Sequence, residues 1–140
     1  MRPDATHSPT ISLIDVVFPD RANHYGTLFG GHALHLMGKA AFIAATRHAR
    51  QHVVMVSSGN IAFDEPVRVG DLIECVASIA RVGRTSMTVA VDLIHENALS
   101  GHRRAAVHGT FEMVAVDANG CPTPISVFRD HNEVQEEAVS

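Results

Sequence analysis

Asn23-His24-Tyr25-Gly26-Thr27-Leu28-Phe29-Gly30-Gly31 runs directly into His32-Ala33-Leu34-His35-Leu36-Met37-Gly38-Lys39-Ala40-Ala41-Phe42-Ile43-Ala44-Ala45-Thr46-Arg47-His48-Ala49-Arg50, and the reading of this stretch decides the fold. From about Gly31 to Arg50, Ala33, Leu34, Met37, Ala41, Ala44 and Ala45 recur at three- and four-residue steps, leaving Lys39, Thr46, Arg47 and Arg50 to face away. The spacing predicts one long helix whose alanines let other backbone approach closely. Arg47, His48 and Arg50 suit the negative end of its dipole. At the other end, adjacent glycines leave backbone N–H groups bare at the positive pole. Such a place stabilises a carbonyl oxygen that is becoming negative, or binds an anion. Glycines also open helices for purely conformational reasons, and both readings stand at this point. Phe29 is expected to anchor the turn in the core.

Outward from this helix the signals change. Thr10 to Phe18 reads as a short strand stopped by Pro19, and Pro19 to Gly26 as a loop. After the helix only strand signals follow: Val53 to Phe63, Leu72 to Val82, Met87 to Glu96 and Ala105 to Val116. Met87, Val89, Val91 and Leu93 alternate with polar residues. Val107, Phe111 and Met113 alternate with His108, Thr110 and Glu112, the pattern of antiparallel strands with one covered face. Turns fall at Val69-Gly70-Asp71, Val82-Gly83-Arg84, Ala98 to Gly101 and Asp117 to Gly120. The expected class is α+β: an antiparallel sheet that buries its apolar face by curling around the single helix. Ala106, Val114, Val116 and Ile94 are expected on the other face, which one helix cannot cover, so an oligomer is expected, most simply a dimer.

The 140 residues suffice for one domain, expected over residues 10–128 between a flexible start (1–9) and a flexible tail (129–140). Hydrophobic residues make up 46% and charged residues 19%, ordinary for a globular protein. A net charge of −4 argues against wholesale binding to nucleic acid or to an anionic membrane. No signal-peptide core or membrane-length apolar run is present, and Cys75 and Cys121 make no disulfide framework. A reduced, cytoplasmic protein is expected.

Several short pieces then align with one family. Pro19-Asp20-Arg21-Ala22-Asn23, Gly26 with Leu28-Phe29-Gly30-Gly31, Met37 followed by Lys39-Ala40-Ala41, Phe63 with Pro66-Val67 and Gly70-Asp71, and Gly83-Arg84-Thr85-Ser86-Met87 occur in order. Together, over about Asp15 to Pro124, the chain resembles the hotdog-fold acyl-CoA thioesterases of the YciA and brain acyl-CoA hydrolase type. The resemblance implies hydrolysis of acyl-CoA thioesters without a metal, in a site shared by two subunits of a dimer, with hexamers built from dimers common. It implies no cofactor other than the coenzyme A carried by the substrate. It places Asn23 in the loop before the helix and the backbone at Phe29-Gly30-Gly31 against the thioester carbonyl. It also calls for an aspartate directly after Met37 as general base. That position is Gly38.

Thioester hydrolysis needs an oxyanion stabilised, on the order of 100- to 1000-fold per donor, and a water made nucleophilic, roughly another 100- to 10,000-fold. Gly38 cannot accept a proton. Three readings stay open: an engineered loss of the base, a natural member that binds acyl-CoA with little or no turnover, or replacement of the base by His35 or His24. The ordinary role for either histidine is a surface position, and for Asn23 an Asx turn. Asp64 and Glu65 suit a strand-end turn better than catalysis. For the phosphates and pantetheine of CoA the candidates are Arg84, Thr85 and Ser86, with Arg81, Arg68 and Lys39 behind them. Ser58 and Gly59 mark either a close backbone approach beside the pantetheine or a bulge. His24 and Phe29 complete the substrate-binding candidates.

Ten histidines invite a metal reading, with His48/His52 and His32/His35 at helical ligand spacing, yet no HExxH or cysteine–histidine motif accompanies them, and no metal is expected. The alternatives to a thioesterase are an acyl-CoA-binding protein without turnover, and less strongly a hotdog hydratase or dehydratase using Asp20 and His24. Faster hydrolysis on Gly38→Asp separates the first pair. Loss of an enoyl-CoA double bond identifies the last.

Overall fold

The structure is a computed structural model that describes residues 10–126; the expected flexible segments 1–9 and 129–140 lie outside the described residues. β1 (Ile11–Val16) leads through a short 3-10 turn to α1 (Gly30–Ala49). Then follow β2 (Val53–Phe63), β3 (Leu72–Val82), β4 (Ser86–Glu96) and β5 (Arg103–Ala115). All strand pairings are antiparallel, in the order β1-β3-β4-β5-β2. The strand alternation explains why the sheet has an inside: on central β4, Met87, Val89, Val91 and Leu93 are all fully buried against α1.

α1 buries Ala33, Leu36, Met37, Ala40, Ala41, Ala44, Ala45 and Ala49, so the helix backbone lies close to the sheet. It ends where Arg50 turns left-handed (φ 52°) and sends its N–H to the Thr46 carbonyl at 2.7 Å. Leu34, expected on the buried face, instead stands on the outward ridge with Gly38 and Phe42, at four-residue steps. Phe29 does not anchor the turn in the core either, since it is 57% exposed.

Ala106 also departs from expectation. A register slip between Leu93 and Ile94 turns it into the core, where its carbonyl accepts the N–H groups of Asp64 (2.7 Å) and Glu65 (3.4 Å). Ile94, Val114 and Val116 remain half-buried on the outer face. Cys75 packs as an apolar residue; burial first, then the charges of Asp15 and Glu74, push its thiol up to about 12. β2 is an edge strand whose outer side pairs with nothing among the described residues. Its register breaks between Met55 and Ser57 and between Gly59 and Ala62, with Asn60 left-handed at φ 53°. Val54, Met55, Val56 and Phe63 are exposed along it.

Candidate active site

The loop before α1 is built around Asn23. Its side-chain Oδ1 accepts from the Tyr25 N–H (2.9 Å), the Thr27 N–H (3.2 Å) and the Thr27 hydroxyl (3.1 Å). Two of these donors are backbone amides, which fixes which end of the carboxamide is the oxygen. The Asx-turn reading is therefore correct for Oδ1, and only the Nδ2 group remains to meet a ligand. Asn23 and Thr27 also pair through the backbone (2.8 Å), and Gly26 closes the turn at φ +81°.

A second loop holds the first in place. Leu28 donates to the Val67 carbonyl (2.7 Å), Val69 donates to the Gly26 carbonyl (3.1 Å), and Thr27 bridges Arg68. His95 on β4 clips both ends of that supporting loop. Its Nε2 lies 2.6 Å from Glu65 and its Nδ1 3.2 Å from Asp71. Arg104 reaches Glu65 at 3.0 Å. Asp64 meets His108 at 2.8 Å. Both acidic residues thus serve the strand end, as expected.

Phe29 caps α1 without a side-chain cap. Its carbonyl takes the N–H groups of His32 (3.0 Å) and Ala33 (3.1 Å), while those of Gly30 and Gly31 meet no protein acceptor among the described residues. A ring accounts for Gly31, while Gly30 has room for a Cβ in ordinary contact. A Cβ on Gly31 would lie 2.6 Å from Phe29 Cε2, a forbidden distance; one on Gly30 would touch Phe63 Cζ at 3.6 Å. Phe63, on the edge strand, is an addition to the candidates read from the sequence. Cavities flank the helix start on either side: one of about 450 Å³ beside Arg21, Phe29, Gly31, His32 and His35, and one of about 220 Å³ beside Leu28, Ala33, Phe63, Glu65 and Val67. Burial, then the nearby Arg21 and His35, hold His32 below its ordinary value, which favours a neutral ring.

Gly38 sits two turns further along the outward ridge, roughly 12 Å from Gly30 by helix rise. A Cβ there would meet the methyl of Met55, from β2, at 3.1 Å. Met55 is a residue the sequence did not single out: its strand reads as buried because nothing in the sequence marks β2 as an edge. His35 is exposed and stacks on His32 with ring centroids 6.0 Å apart; His24 is exposed against Tyr25 at 4.0 Å. Ser58 is exposed on β2, and Gly59 begins a register irregularity, where its carbonyl accepts from Thr110 Oγ1 at 3.1 Å. A Cβ on Gly59 would touch nothing, so no close backbone approach within the chain explains it.

Arg84, Thr85 and Ser86 lie at the opposite end of the sheet. Their turn binds Ala115 and Ile125, each at 2.9 Å, and Ala115 pairs with Val53, whereas Gly30 meets Phe63 at the far end of the same strand. Within one chain the structure does not bring this turn to the glycine pair; about 30 Å of helix separates the two ends. Among the described residues no three His, Cys, Asp or Glu side chains cluster as metal ligands, and His52 falls beyond the end of α1. No described helix is long and apolar enough to cross a membrane.

A five-stranded antiparallel sheet wrapped on one long helix, with bare amides at the helix start, defines a hotdog-fold protein. The chain matches the thioesterase superfamily over residues 25–101. It is 32% identical to the acyl-CoA thioester hydrolase YciA of Salmonella typhimurium over 127 residues, 89% of this chain and 96% of that one. An acyl-CoA hydrolase from Agrobacterium tumefaciens superposes with TM-score 0.77 at 42% identity, covering 83% of this chain and 45% of its own. An apo-hexameric acyl-CoA thioesterase does so with TM-score 0.81 at 35% identity, covering 83% and 74%. The chain spans 63% of the length of YkhA, an uncharacterized acyl-CoA thioester hydrolase of Bacillus subtilis. It belongs to the thioesterase superfamily, among the acyl-CoA thioester hydrolases.

Proposed function

We propose that this chain binds acyl-CoA and hydrolyses the thioester to free acid and coenzyme A, slowly. The observation that carries the reading is the pair of Gly30 and Gly31 amides at the positive pole of α1, which meet no acceptor among the described residues. A thioester carbonyl against them gains charge stabilisation as its oxygen turns negative, on the order of 100- to 1000-fold per donor. In this reading Asn23 Nδ2 is a further donor. The water-activating half has no carboxylate at Gly38, which leaves the rate roughly 100- to 10,000-fold below that of a chain carrying one. The same vacancy supports a second reading, an acyl-CoA holder without turnover.

One chain is not enough for this chemistry. The glycine amides and position 38 are roughly 12 Å apart along one helix, beyond the reach of two groups acting on one carbonyl. A second copy resolves this, and the open edge of β2 with its exposed Met55, Val56 and Phe63 is where it fits. The same arrangement accounts for Arg84, Thr85 and Ser86, which serve the CoA phosphates of a site on a neighbouring copy. His24, Phe29, Ser58 and Gly59 line the acyl and pantetheine path. The solved hexameric relative supports a trimer of such dimers. No further cofactor, nucleic acid or membrane is invoked, and the buried Cys75 and unpaired Cys121 suit the cytoplasm.

The test is titration with CoA and with acyl-CoAs of increasing length, alongside release of free thiol. Acyl-CoA binding with slow, measurable release supports hydrolysis, and binding without release supports the holder. A chain that is folded, yet binds neither CoA nor acyl-CoA, rejects the proposal.

A further inference from the structure

Gly38 is the glycine whose purpose is least obvious. It lies inside α1, where its backbone is ordinary helix and has no need of a positive φ. There a glycine costs about 1 kcal/mol against alanine. The neighbouring strand supplies the reason. Met55 crosses from β2 and sets its Cε 3.1 Å from where a Cβ would be, closer than such contacts ordinarily come. The same logic governs Gly31 under Phe29, and Gly109, whose Cβ would collide with Ile61. At Gly31 and Gly109 a neighbouring side chain fills the volume outright, and at Gly38 the methyl would have to give by a few tenths of an ångström.

We propose that Gly38 and Met55 form one unit: the Met55 methyl fills the seat in which a helix side chain would hold the attacking water, so that bound acyl-CoA is turned over only slowly. The proposal rests on the acyl-CoA reading above. A water needs two to four polar partners to stay ordered. Around this position the outward side of the helix carries Leu34, His35 and Phe42, and β2 offers a thioether, so His35 is the one polar side chain a turn away. The Gly38 N–H and carbonyl lie within the helix ladder. A carboxylate introduced at position 38 alone therefore shares its space with a methyl group. Met55 is 44% exposed and unbranched, so it is also the residue that can be shortened without opening the core.

The experiment is a double-mutant cycle on Gly38→Asp and Met55→Ser, read by free-thiol release from acyl-CoA, with acyl-CoA affinity and thermal melting measured on every chain. The double change is expected to raise release by more than about 100-fold, and by at least about tenfold beyond the product of the two single changes. A Gly38→Asn/Met55→Ser chain is expected to stay slow. Release by Gly38→Asp equal to that of the double variant, or a double variant no faster than the product of its singles, overturns the proposal while acyl-CoA binding persists. So does a fast asparagine control. If Gly38→Asp unfolds and Met55→Ser restores it, the shared volume is supported; if neither aspartate chain folds, it is overturned. Failure of the unaltered chain to bind any acyl-CoA removes the functional reading, and this proposal falls with it.

Discussion

Gly31→Ala isolates the chemistry of the helix start from its stability. The new Cβ would lie 2.6 Å from Phe29 Cε2 and 3.2 Å from Cδ2. Carbon atoms rest at about 3.5–4.0 Å, so the ring must retreat by roughly 1 Å. Phe29 is 57% exposed, and the retreat goes outward without disturbing the core. Alanine also favours the helix by up to about 1 kcal/mol. The melting temperature is therefore expected to stay level or rise. The displaced ring, however, reshapes the cavity that Phe29 and Gly31 line together. A displacement of about 1 Å at a reacting centre costs on the order of 100-fold, equivalent to about 2.7 kcal/mol in the barrier. Two readouts test this: free-thiol release, and the infrared stretch of an acyl-CoA labelled with carbon-13 at the thioester carbonyl. The bound carbonyl is expected to shift to lower frequency in the unaltered chain and to lose that shift in Gly31→Ala. A Gly31→Ala chain that melts normally and polarises the carbonyl as before refutes the assignment of these amides.

Gly109→Ala places a methyl onto the Ile61 side chain and 3.4 Å from Met37 in the packed interior, and is expected to destabilise by about 1–3 kcal/mol in urea unfolding. A result within error of zero would show that β2 moves freely over α1. His108 lies 2.8 Å from both Asp64 and Asp92, and the Asp92 hydrogen bond first, then the charges of Asp92 and Asp64, hold it above 6.5. Its stabilising contribution is complete below pH 6.5 and fades as pH rises through the higher folded-state value. All three side chains are about half exposed, so the effect is about 0.2–1 kcal/mol. His108→Gln is expected to flatten stability against pH in that window, and an unchanged slope would discard the bridge.

The strands and the helix were readable because their burial is periodic: Met87, Val89, Val91 and Leu93 could face only one way. What escaped the sequence depended on neighbours distant along the chain. Ala106 turns inward because β5 slips against β4 at Leu93 and Ile94, and alternation carries no trace of such a slip. Phe29 and Leu34 are apolar yet outward, and a single chain's pattern cannot distinguish a core residue from one facing a cleft or a partner. The bare amides of the glycine pair were legible because the pair opens a helix. Met55 was not, because its importance lies in a contact with Gly38 that only the pairing of β2 at the sheet edge creates.

Six of the eight residues that α1 turns inward are alanines. They leave almost nothing to trim and no room to enlarge, since any longer side chain would pry the helix off the sheet. Change in this scaffold is thus confined to the outward stripe of the same helix, beside the edge strand β2. That stripe carries position 38, which makes chemistry the feature this architecture can alter at least structural expense.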